Sequence, residues 1–344
     1  MTRLQTRVLC MLMGIILVLL PACQIAPANE DGAVATAGKL SVHFIDVGQG
    51  ASQLIIGPTG KTILIDGGNN SEEAKMVAYL QSQRISKIDI LIATHPDADH
   101  VGGLDAVIRH FDIGKIYMPK VQSNTKTFED VLTAIKEKSL KISTAKAGLS
   151  LEWEQDVEVL MIAPVSVYED TNEMSAVVKL SYGKHSFLLT GDAEAESEND
   201  IMKSGISLNA DVLLVGHHGS NSSTSSEWLK KIQPKYAVIQ SGTNNYGHPT
   251  SEVLGRLKKQ GTEVYRTDQL GNILFVSDGT SLEIDHTDSL IDAKANSTTS
   301  DKLTTQDVFE SCAAVREAGK APIRKGDPGF NAKLDRDDDG IACE

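Results

Sequence analysis

Basic residues and cysteines are scarce in this sequence of 344 residues. Lys and Arg number 33 against 46 Asp and Glu, which gives a formal net charge of −13 at pH 7. A protein that holds nucleic acid on a broad basic face is therefore not expected, although a metal site could still bind a phosphate locally. Gly (28) and Pro (10) have ordinary frequencies, so collagen-like and low-complexity chains are excluded. With 41% hydrophobic residues, the chain can bury a sizeable core.

Long apolar runs are also scarce, and the one at the N-terminus, residues 8–20, is shorter than the about 20 residues of a membrane-spanning helix. It matches the apolar part of a signal peptide and ends in LPAC at residues 20–23, which resembles a bacterial lipobox. We therefore predict a lipoprotein signal peptide over residues 1–22, lipidation of Cys23, and export to the outer face of the cell membrane of a Gram-positive bacterium. An ordinary secretory signal or an uncleaved anchor is the alternative. Residues 23–38 are small and polar, as in a tether.

From residue 40 to about residue 285, short β-rich runs alternate with helical patterns, which predicts an α+β fold of two packed sheets with helices outside. The predicted strands are residues 40–45, 53–56, 62–65, 88–93, 115–118, 157–162, 175–180, 186–190, 211–215, 236–240, 263–265 and 273–276. The predicted helices are residues 71–83, 103–111, 128–137, 194–203, 225–232 and 251–260. We place the central domain at residues 39–285, a polar linker at residues 286–306 and a compact tail at residues 307–344.

The strongest chemical signal is THPDADH at residues 94–100, directly after a predicted apolar strand. It offers four potential metal ligands within six residues: His95, Asp97, Asp99 and His100. Imidazole and carboxylate groups at this spacing can wrap a loop around two cations. A single His-x-Asp would more often be a solvated turn, but the whole group at the end of a buried strand favours a metal site.

Other acids and histidines follow predicted strands in the same way. Asp66 follows TILI, Asp192 follows FLLTG, and His217 and His218 follow DVLLVG. Each has a glycine close by, which lets the backbone come near a site. One such residue would usually be a capping carboxylate or a loop histidine. Their recurrence at several strand ends predicts that they meet at one centre.

With further motifs, these residues resemble the metallo-β-lactamase superfamily and, within it, the C-terminal hydrolase domain of ComEC competence proteins. The motifs are FIDVGQG at residues 44–50, LIDGG at 64–68, THPDADHVGG at 94–103, LTGDAE at 189–194, HHGS at 217–220 and YGHP at 246–249. The resemblance covers nearly the whole central domain. It implies an αββα sandwich with two divalent transition metals, zinc or alternatively manganese, at one edge.

The resemblance also implies the ligands of the two metals. His95 and Asp97 would hold one metal, Asp99, His100 and His218 the second, and Asp192 would bridge them. Which of His217 and His218 binds metal stays open.

The resemblance further implies catalytic roles for His217, Asp99 and Asp66. His217 would face the substrate and stabilise developing negative charge, while Asp66 would accept hydrogen bonds that orient the ligands. His248, before Pro249, is predicted either to contact substrate or to begin a helix.

Two positions depart from the family pattern. Many members carry a further histidine between the His95 motif and Asp192, where this chain has TNEMS at residues 171–175, as in the ComEC-like subgroup. One metal is therefore expected to have fewer protein ligands, with Asn172 as a candidate substrate contact. The subgroup's usual acid after Gly-Gln-Gly is Ala51 here, so we expect an altered contact beside the ligands.

The C-terminal tail has acids at alternate positions before a glycine, in DRDDDG at residues 335–340. This follows the logic of an EF-hand loop, although the terminal acid comes too early. With DPGF at residues 327–330, the tail resembles the excalibur calcium-binding domain. The calcium ligands it implies are Asp335, Asp337, Asp339, the Ile341 carbonyl group and Glu344. A disulfide between Cys312 and Cys343 would stabilise so small a fold. A solvated acidic terminus is the alternative.

These features predict a membrane-tethered, extracellular hydrolase with two metals, a phosphodiesterase acting on DNA or another phosphodiester polymer. No serine or cysteine lies in a recognisable nucleophile motif, so the metals are the expected reactive centre. The negative charge argues against nucleic acid, and a cell-wall polymer of the phosphorylcholine or teichoic-acid type is the alternative substrate. A non-catalytic metal-binding surface lipoprotein is the alternative from another class. No apolar segment of channel length is present, so we do not expect this chain alone to form a DNA channel.

Overall fold

In the computed structural model, the described residues are 38–287, 312–317, 323–324, 332–334 and 341–343. The chain divides into two compact units, Met1–Ile291 and Asp292–Glu344. Within the described residues, every helix is too short or too polar to cross a membrane. The predicted signal peptide, the predicted tether and Cys23 lie outside the described residues.

The described strands of the first unit form two sheets. In chain order they are β1 (Leu40–Phe44), β2 (Gln53–Ile56), β3 (Thr62–Ile65), β4 (Lys87–Ile92), β5 (Asp112–Met118), β6 (Ile142–Thr144), β7 (Leu149–Ser150), β8 (Val157–Met161), β9 (Val178–Tyr182), β10 (His185–Leu189), β11 (Val212–Leu214), β12 (Tyr236–Ile239), β13 (Glu263–Arg266), β14 (Asn272–Ser277) and β15 (Leu282–Thr287). The eight-stranded sheet has the order β15-β14-β1-β2-β3-β4-β5-β6, and the seven-stranded sheet has the order β13-β12-β11-β10-β9-β8-β7. Strands β3 to β6 are parallel to one another, as are β10 to β13.

Helices connect these strands. They are α1 (Glu73–Ser82), α2 (Ala98–Val101), α3 (Leu104–His110), α4 (Lys126–Glu137), α5 (Ala195–Lys203), α6 (Ser226–Ile232), α7 (Ser251–Gln260) and α8 (Thr267–Leu270). Hydroxyl side chains cap three of them, because Thr125, Ser225 and Thr250 accept hydrogen bonds from the first turns of α4, α6 and α7.

The alternation of side chains along each strand separates three apolar layers. Between the two sheets, Phe44 and Phe275 of one sheet and Phe187 of the other are fully buried. The Phe275 ring centroid lies 5.9 Å from that of Phe44 and 6.1 Å from that of Phe187. Helices α1, α3 and α4 pack on the outer face of the eight-stranded sheet, and α5, α6 and α7 on that of the seven-stranded sheet. The predicted αββα sandwich is therefore confirmed.

The elements that sequence patterns missed are short or lie at a sheet edge. Strand β6 is an edge strand whose three residues are all exposed, and β7 has only two residues, so neither shows an apolar period. Helix α2 is a four-residue turn inside the predicted ligand loop. Strand β15 pairs with β14 at the other edge and continues to Thr287, two residues beyond the expected end of the central domain.

The described part of the second unit contains α9 (Cys312–Glu317) and an antiparallel pair, β16 (Ile323–Arg324) and β17 (Ile341–Ala342). A disulfide joins Cys312 to Cys343, with the Cα atoms 5.1 Å apart. Val315 is fully buried and packs with Ala342 and Cys343. Of the predicted calcium ligands, Ile341 begins β17, and Asp335, Asp337, Asp339 and Glu344 lie outside the described residues.

Candidate metal centre

The candidate ligands follow strands whose carboxyl ends share one edge of the sandwich. Strands β3 and β4 are parallel neighbours in one sheet, and β10 and β11 are parallel neighbours in the other. Because parallel strands end at the same edge, the loops after them converge. Asp66 directly follows β3, the loop of residues 94–100 follows β4, Asp192 follows β10, and His217 and His218 follow β11.

Left-handed backbone conformations aim several of these side chains. The φ angles are 58° at Asp66, 46° at His217 and 53° at His218. A residue other than glycine pays roughly 1–2 kcal/mol for this conformation. The surrounding contacts must hold it in place, which is typical of functional sites.

Ala51, which stands where the subgroup has an acid, is buried beside the ligand loop. Its N–H donates a hydrogen bond to the carbonyl oxygen of Asp99 (3.1 Å). A Cβ atom on Gly50 would lie 2.4 Å from that same oxygen, so only glycine fits there. Backbone contact, in place of an acidic side chain, positions Asp99 in this chain.

His100 lies at the centre of the cluster. Its Nε2 is 3.1 Å from Oδ1 of Asp192 and 3.3 Å from Nε2 of His218. The Nε2 of His218 is in turn 3.2 Å from Oδ2 of Asp99 and 3.5 Å from Oδ2 of Asp192. Ligand atoms of Asp99, His100 and His218 lie within 4.8 Å of one another, as do those of His95, His100 and Asp192. His100 belongs to both groups of three.

His95 extends the cluster beside His100, with the two ring centroids 4.1 Å apart. Its Nε2 lies 4.0 Å from Oδ2 of Asp192 and 4.0 Å from Oδ2 of Asp97. Asp97 lies outside both tight groups, and its Oδ1 accepts a hydrogen bond from Thr171 (3.2 Å). The Nε2 of His95 is buried without a hydrogen-bond partner. Leaving a buried polar atom unpaired costs about 1–3 kcal/mol, and a bound cation would relieve that cost.

Each of the three buried histidines uses its Nδ1 atom to contact the protein. The partners are Oδ2 of Asp66 for His100 (2.7 Å), the carbonyl oxygen of Gln240 for His218 (2.8 Å) and Oγ1 of Thr94 for His95 (3.0 Å). The Thr94 hydroxyl donates its own hydrogen to Asp66 (2.7 Å), so it accepts from His95. All three rings therefore donate through Nδ1 and direct Nε2 to the centre, where it can bind a cation once Nε2 carries no hydrogen.

Charges in the cluster favour cation binding. Burial would raise the pKa of Asp192, but the charges of His100 and His218 outweigh it and hold this pKa well below its usual range. Burial likewise opposes ionisation of Asp99, yet the hydrogen bond from His218 lowers its pKa to about 2. Burial lowers the pKa of His95 to about 4, which keeps this ring neutral at pH 7. Asp192 and Asp99 are thus ionised and His95 is neutral, which are the forms that bind metal. Burial lowers the pKa of His100, but the carboxylates of Asp192 and Asp66 outweigh burial and raise it, so a cation bound by His100 would displace a proton.

The donor set fits two divalent transition metals. Imidazole nitrogen and carboxylate oxygen suit zinc and manganese, and the unpaired Nε2 of His95 has no other partner to satisfy it. The residues that would hold the cations are His95, Asp97, Asp99, His100, Asp192 and His218. The Oδ2 atom of Asp192 lies 4.0 Å from Nε2 of His95 and 3.5 Å from Nε2 of His218, so this carboxylate is close to ligands from both groups.

A cavity of about 320 Å³ opens onto this centre, and the candidate substrate contacts His217, His248 and Asn172 line it. The structure places the Nε2 of His218 in the cluster and the His217 ring on the cavity wall. The His217 ring packs against that of His248, with centroids 5.3 Å apart. His248 lies two residues before Thr250, the N-cap of α7, and also lines the cavity. Its position is therefore compatible with both predicted roles, a substrate contact and a helix start.

Glu194 is a functional candidate that sequence reasoning missed. Its Oε1 accepts hydrogen bonds from Nδ1 of His217 (2.6 Å) and from Ser222 (2.7 Å). Burial lowers the pKa of His217, but this bond and the charge of Asp192 outweigh burial and raise it. Glu194 stands two residues after Asp192 in the motif LTGDAE, residues 189–194. This position is the only sequence feature that indicates a role for it.

The segment that replaces the family's extra histidine is attached to the centre. Ser175 accepts a hydrogen bond from the N–H of Asp192 (3.1 Å) and lies 3.4 Å from Nδ1 of His95. The buried carboxylate of Glu173 accepts from three backbone N–H groups at the start of α5, at 2.8–3.1 Å. These contacts hold Asn172 on the cavity wall.

Gln240 was also missed, and it joins the two sheets. Its Nε2 donates to the carbonyl oxygens of Ile45 (2.8 Å) and Ser52 (2.9 Å) on the eight-stranded side. The backbone carbonyl oxygen of Gln240 accepts a hydrogen bond from Nδ1 of His218. No local pattern marks such a residue, because its partners lie far away in sequence.

Comparison with known proteins gives two family matches. The metallo-beta-lactamase superfamily model matches residues 45–242, and the Excalibur calcium-binding domain model matches residues 309–344.

ComE operon protein 3 of Bacillus subtilis (strain 168) is 33% identical over 253 residues, which are 68% of this chain and 32% of that protein. Recombination protein 2 of Haemophilus influenzae is 32% identical and covers 67% of this chain and 28% of its own length. Competence protein ComA of Neisseria gonorrhoeae is 31% identical over 242 residues, which are 69% of this chain and 32% of that protein. The chain thus spans about a third of the length of these curated relatives.

Proposed function

Because the chain belongs to the metallo-β-lactamase superfamily and ends in an Excalibur calcium-binding domain, we propose that it is a metal-dependent phosphodiesterase that acts on DNA outside the cell. The observation that carries this proposal is the cluster of ligand atoms at one edge of the sandwich, in which His100 can bind a cation together either with Asp99 and His218 or with His95 and Asp192. Two divalent cations held by these residues would supply charge stabilisation for the attacking and leaving oxygens of a phosphodiester and would lower the pKa of a bound water.

His217 and Glu194 would act on the substrate side of the centre. The Nε2 of His217 faces the cavity 3.8 Å from Oδ2 of Asp192, while its Nδ1 donates to Glu194. Held in this orientation, the ring can stabilise negative charge on the phosphate or give a proton to the leaving oxygen. Asp66 and Asp99 would serve the reaction by fixing His100 and His218.

Two observations favour DNA over a cell-wall polymer. Relatives carry names that refer to competence and recombination, which are processes of DNA. Tyr246 lines the cavity with 75% of its surface exposed, and such a ring can stack on a nucleobase. Polyol phosphate polymers of the teichoic-acid type have no planar ring to stack, so Tyr246 separates DNA from that type; a phosphorylcholine group would contact the ring through its cation instead.

The proposed location is the outer face of the cell membrane, with lipid on Cys23 as the anchor and calcium in the C-terminal unit. The LPAC motif and the Excalibur match support it. Metabolic labelling with a radioactive fatty acid is expected to mark the wild-type protein and not Cys23→Ser. An unlabelled wild-type protein would contradict the lipid anchor.

The experiment for the activity uses the full chain loaded with zinc or manganese. It is expected to hydrolyse bis-p-nitrophenyl phosphate and a labelled DNA oligonucleotide. Asp99→Ala should lower kcat by at least about 100-fold and reduce the bound metal, because Asp99 pairs with His218 in one ligand group. Asp130→Ala, which removes a surface carboxylate of α4, is the matched control.

Fewer than one transition metal per chain, or no hydrolysis by the loaded protein, would overturn the enzyme assignment. Hydrolysis of teichoic-acid fragments in preference to DNA would replace the proposed substrate with the wall polymer.

A further inference from the structure

A second cavity, of about 580 Å³, lies on the same edge as the metal centre, with Lys120, Lys146, Val165, Val167 and Met174 in its walls. Lys120 follows β5, Lys146 follows β6, and the two valines follow β8. Strands β5 and β6 are parallel to β4. Strand β8 is parallel to β10, since both are antiparallel to β9. These segments therefore leave the sandwich at the edge that carries the metal ligands; we name the cavity the Lys120–Lys146 groove.

One loop forms walls of both cavities. Val165, Val167 and Met174 line the Lys120–Lys146 groove, Asn172 lines the metal cavity, and Thr171 donates to the ligand Asp97. Strand β6 is two positions from β4 in the sheet, and neighbouring strands lie about 4.8 Å apart. Strand β5, which leads to Lys120, is one position from β4, so the groove extends over roughly 5–10 Å from β4 along the edge, a distance that an extended strand can span.

The groove differs in charge from the chain as a whole. The chain carries −13 net charge, yet none of the described residues that line the groove is acidic. Both lysines are exposed, and no carboxylate of the described residues lies within ion-pair distance of either ammonium. Val167 is 89% exposed beside them. Ammonium groups next to apolar side chains fit a strand that alternates phosphates with sugars and bases.

We infer that the Lys120–Lys146 groove binds the stretch of single-stranded DNA next to the scissile phosphate. The inference rests on the proposed phosphodiesterase function and specifies a polymeric substrate. The ammonium groups of Lys120 and Lys146 each contact one phosphate of this stretch, and Val165 and Val167 contact its sugars and bases. Tyr246 follows β12, and β8 and β12 lie on opposite sides of β10 and β11. The groove and the Tyr246 ring thus flank the metal centre along one path.

The test compares K120A/K146A with wild type on two substrates, bis-p-nitrophenyl phosphate and a 20-nucleotide oligothymidylate, using the metal-loaded full chain. The double variant should keep kcat/KM for the small diester within about twofold, which also shows that it folds. Its KM for the oligonucleotide should rise roughly tenfold. Each single-strand phosphate contact contributes about 0.7 to the slope of log affinity against log salt, so the slope should fall by about 1.4.

K258A/K259A is the charge-matched control, because both lysines are exposed at the end of α7, where the chain enters β13 away from the metal edge. It should leave both substrates and the salt slope unchanged. Fluorescence anisotropy with a labelled phosphorothioate oligothymidylate measures binding independently of hydrolysis.

An unchanged oligonucleotide KM, affinity and salt slope in K120A/K146A would overturn the inference. A loss for a glycerol-phosphate polymer but none for the oligonucleotide would also overturn it. If wild type binds the oligonucleotide through these lysines but cleaves neither substrate, the proposed function fails while the groove assignment stands.

Discussion

One buried carboxylate, Asp66, sets how well the metal centre can bind a cation. Its Oδ1 accepts from the N–H of Thr94 (2.8 Å), and its Oδ2 accepts from the Thr94 hydroxyl and from Nδ1 of His100 (both 2.7 Å). Asp66→Asn keeps the shape and the first acceptor but places an amide N–H against His100. The ring can accept that bond only by moving its hydrogen to Nε2, which removes the lone pair that a cation needs.

The expected loss of transition-metal affinity is about 10–100-fold, or about 1.4–2.8 kcal/mol. Oδ2 accepts two hydrogen bonds, and losing either one costs about 1.5–3 kcal/mol, so Asp66→Asn should also lower the free energy of unfolding by at least this amount. Zinc titration against a chromophoric chelator measures the first quantity, and urea unfolding of the metal-free protein measures the second.

Asp89→Asn is the matched control. Asp89, on β4, accepts a hydrogen bond from the N–H of Thr62 (2.9 Å) but does not contact the candidate ligands. It should keep wild-type zinc affinity. If Asp66→Asn binds zinc within about twofold of wild type, or if the control loses as much, the tautomer argument is refuted.

Three further predictions concern the catalytic side, the core and the tail. Glu194→Gln removes the charge that raises the pKa of His217, so the alkaline limb of the pH profile of kcat/KM should move to lower pH with metal content unchanged; an identical profile would contradict that role. Phe275→Ala should lower the free energy of unfolding by about 3–5 kcal/mol in urea titration, because the ring is fully buried between the sheets; a loss below about 1 kcal/mol would argue against that packing. Calcium should raise the melting temperature of the wild-type chain but not of Asp337→Ala, and indifference of wild type to a chelator would refute calcium binding by the tail.

The core of the fold could be predicted because its signals are local. Residues 62–65 and 187–191, for example, are largely apolar. A glycine and an aspartate lie at or just after the end of each run. Edge elements could not be predicted in this way. Strand β6 is exposed along its length, so it forms only because β5 offers a free edge for pairing.

The residues of the candidate site also fall into two groups, those that the sequence reveals and those that only folding brings to the site. His95, Asp97, Asp99 and His100 stand together in one loop, so their chemistry is visible in the sequence. Glu194 and Gln240 carry no motif of their own, and they act only because folding places them against His217 and His218.

The sequence by itself determined the ligand types, their strand-end positions and, through motifs in a shared order, the superfamily. Those properties depend on residues near one another in the chain. Only the tertiary structure decided that His218 joins the cluster while His217 faces the cavity, that three Nδ1 atoms are held so that Nε2 points inward, and that Lys120 and Lys146 share a groove beside the metals. These features depend on which strands pair and on the direction in which each strand runs, and hydrogen bonds between distant segments set both.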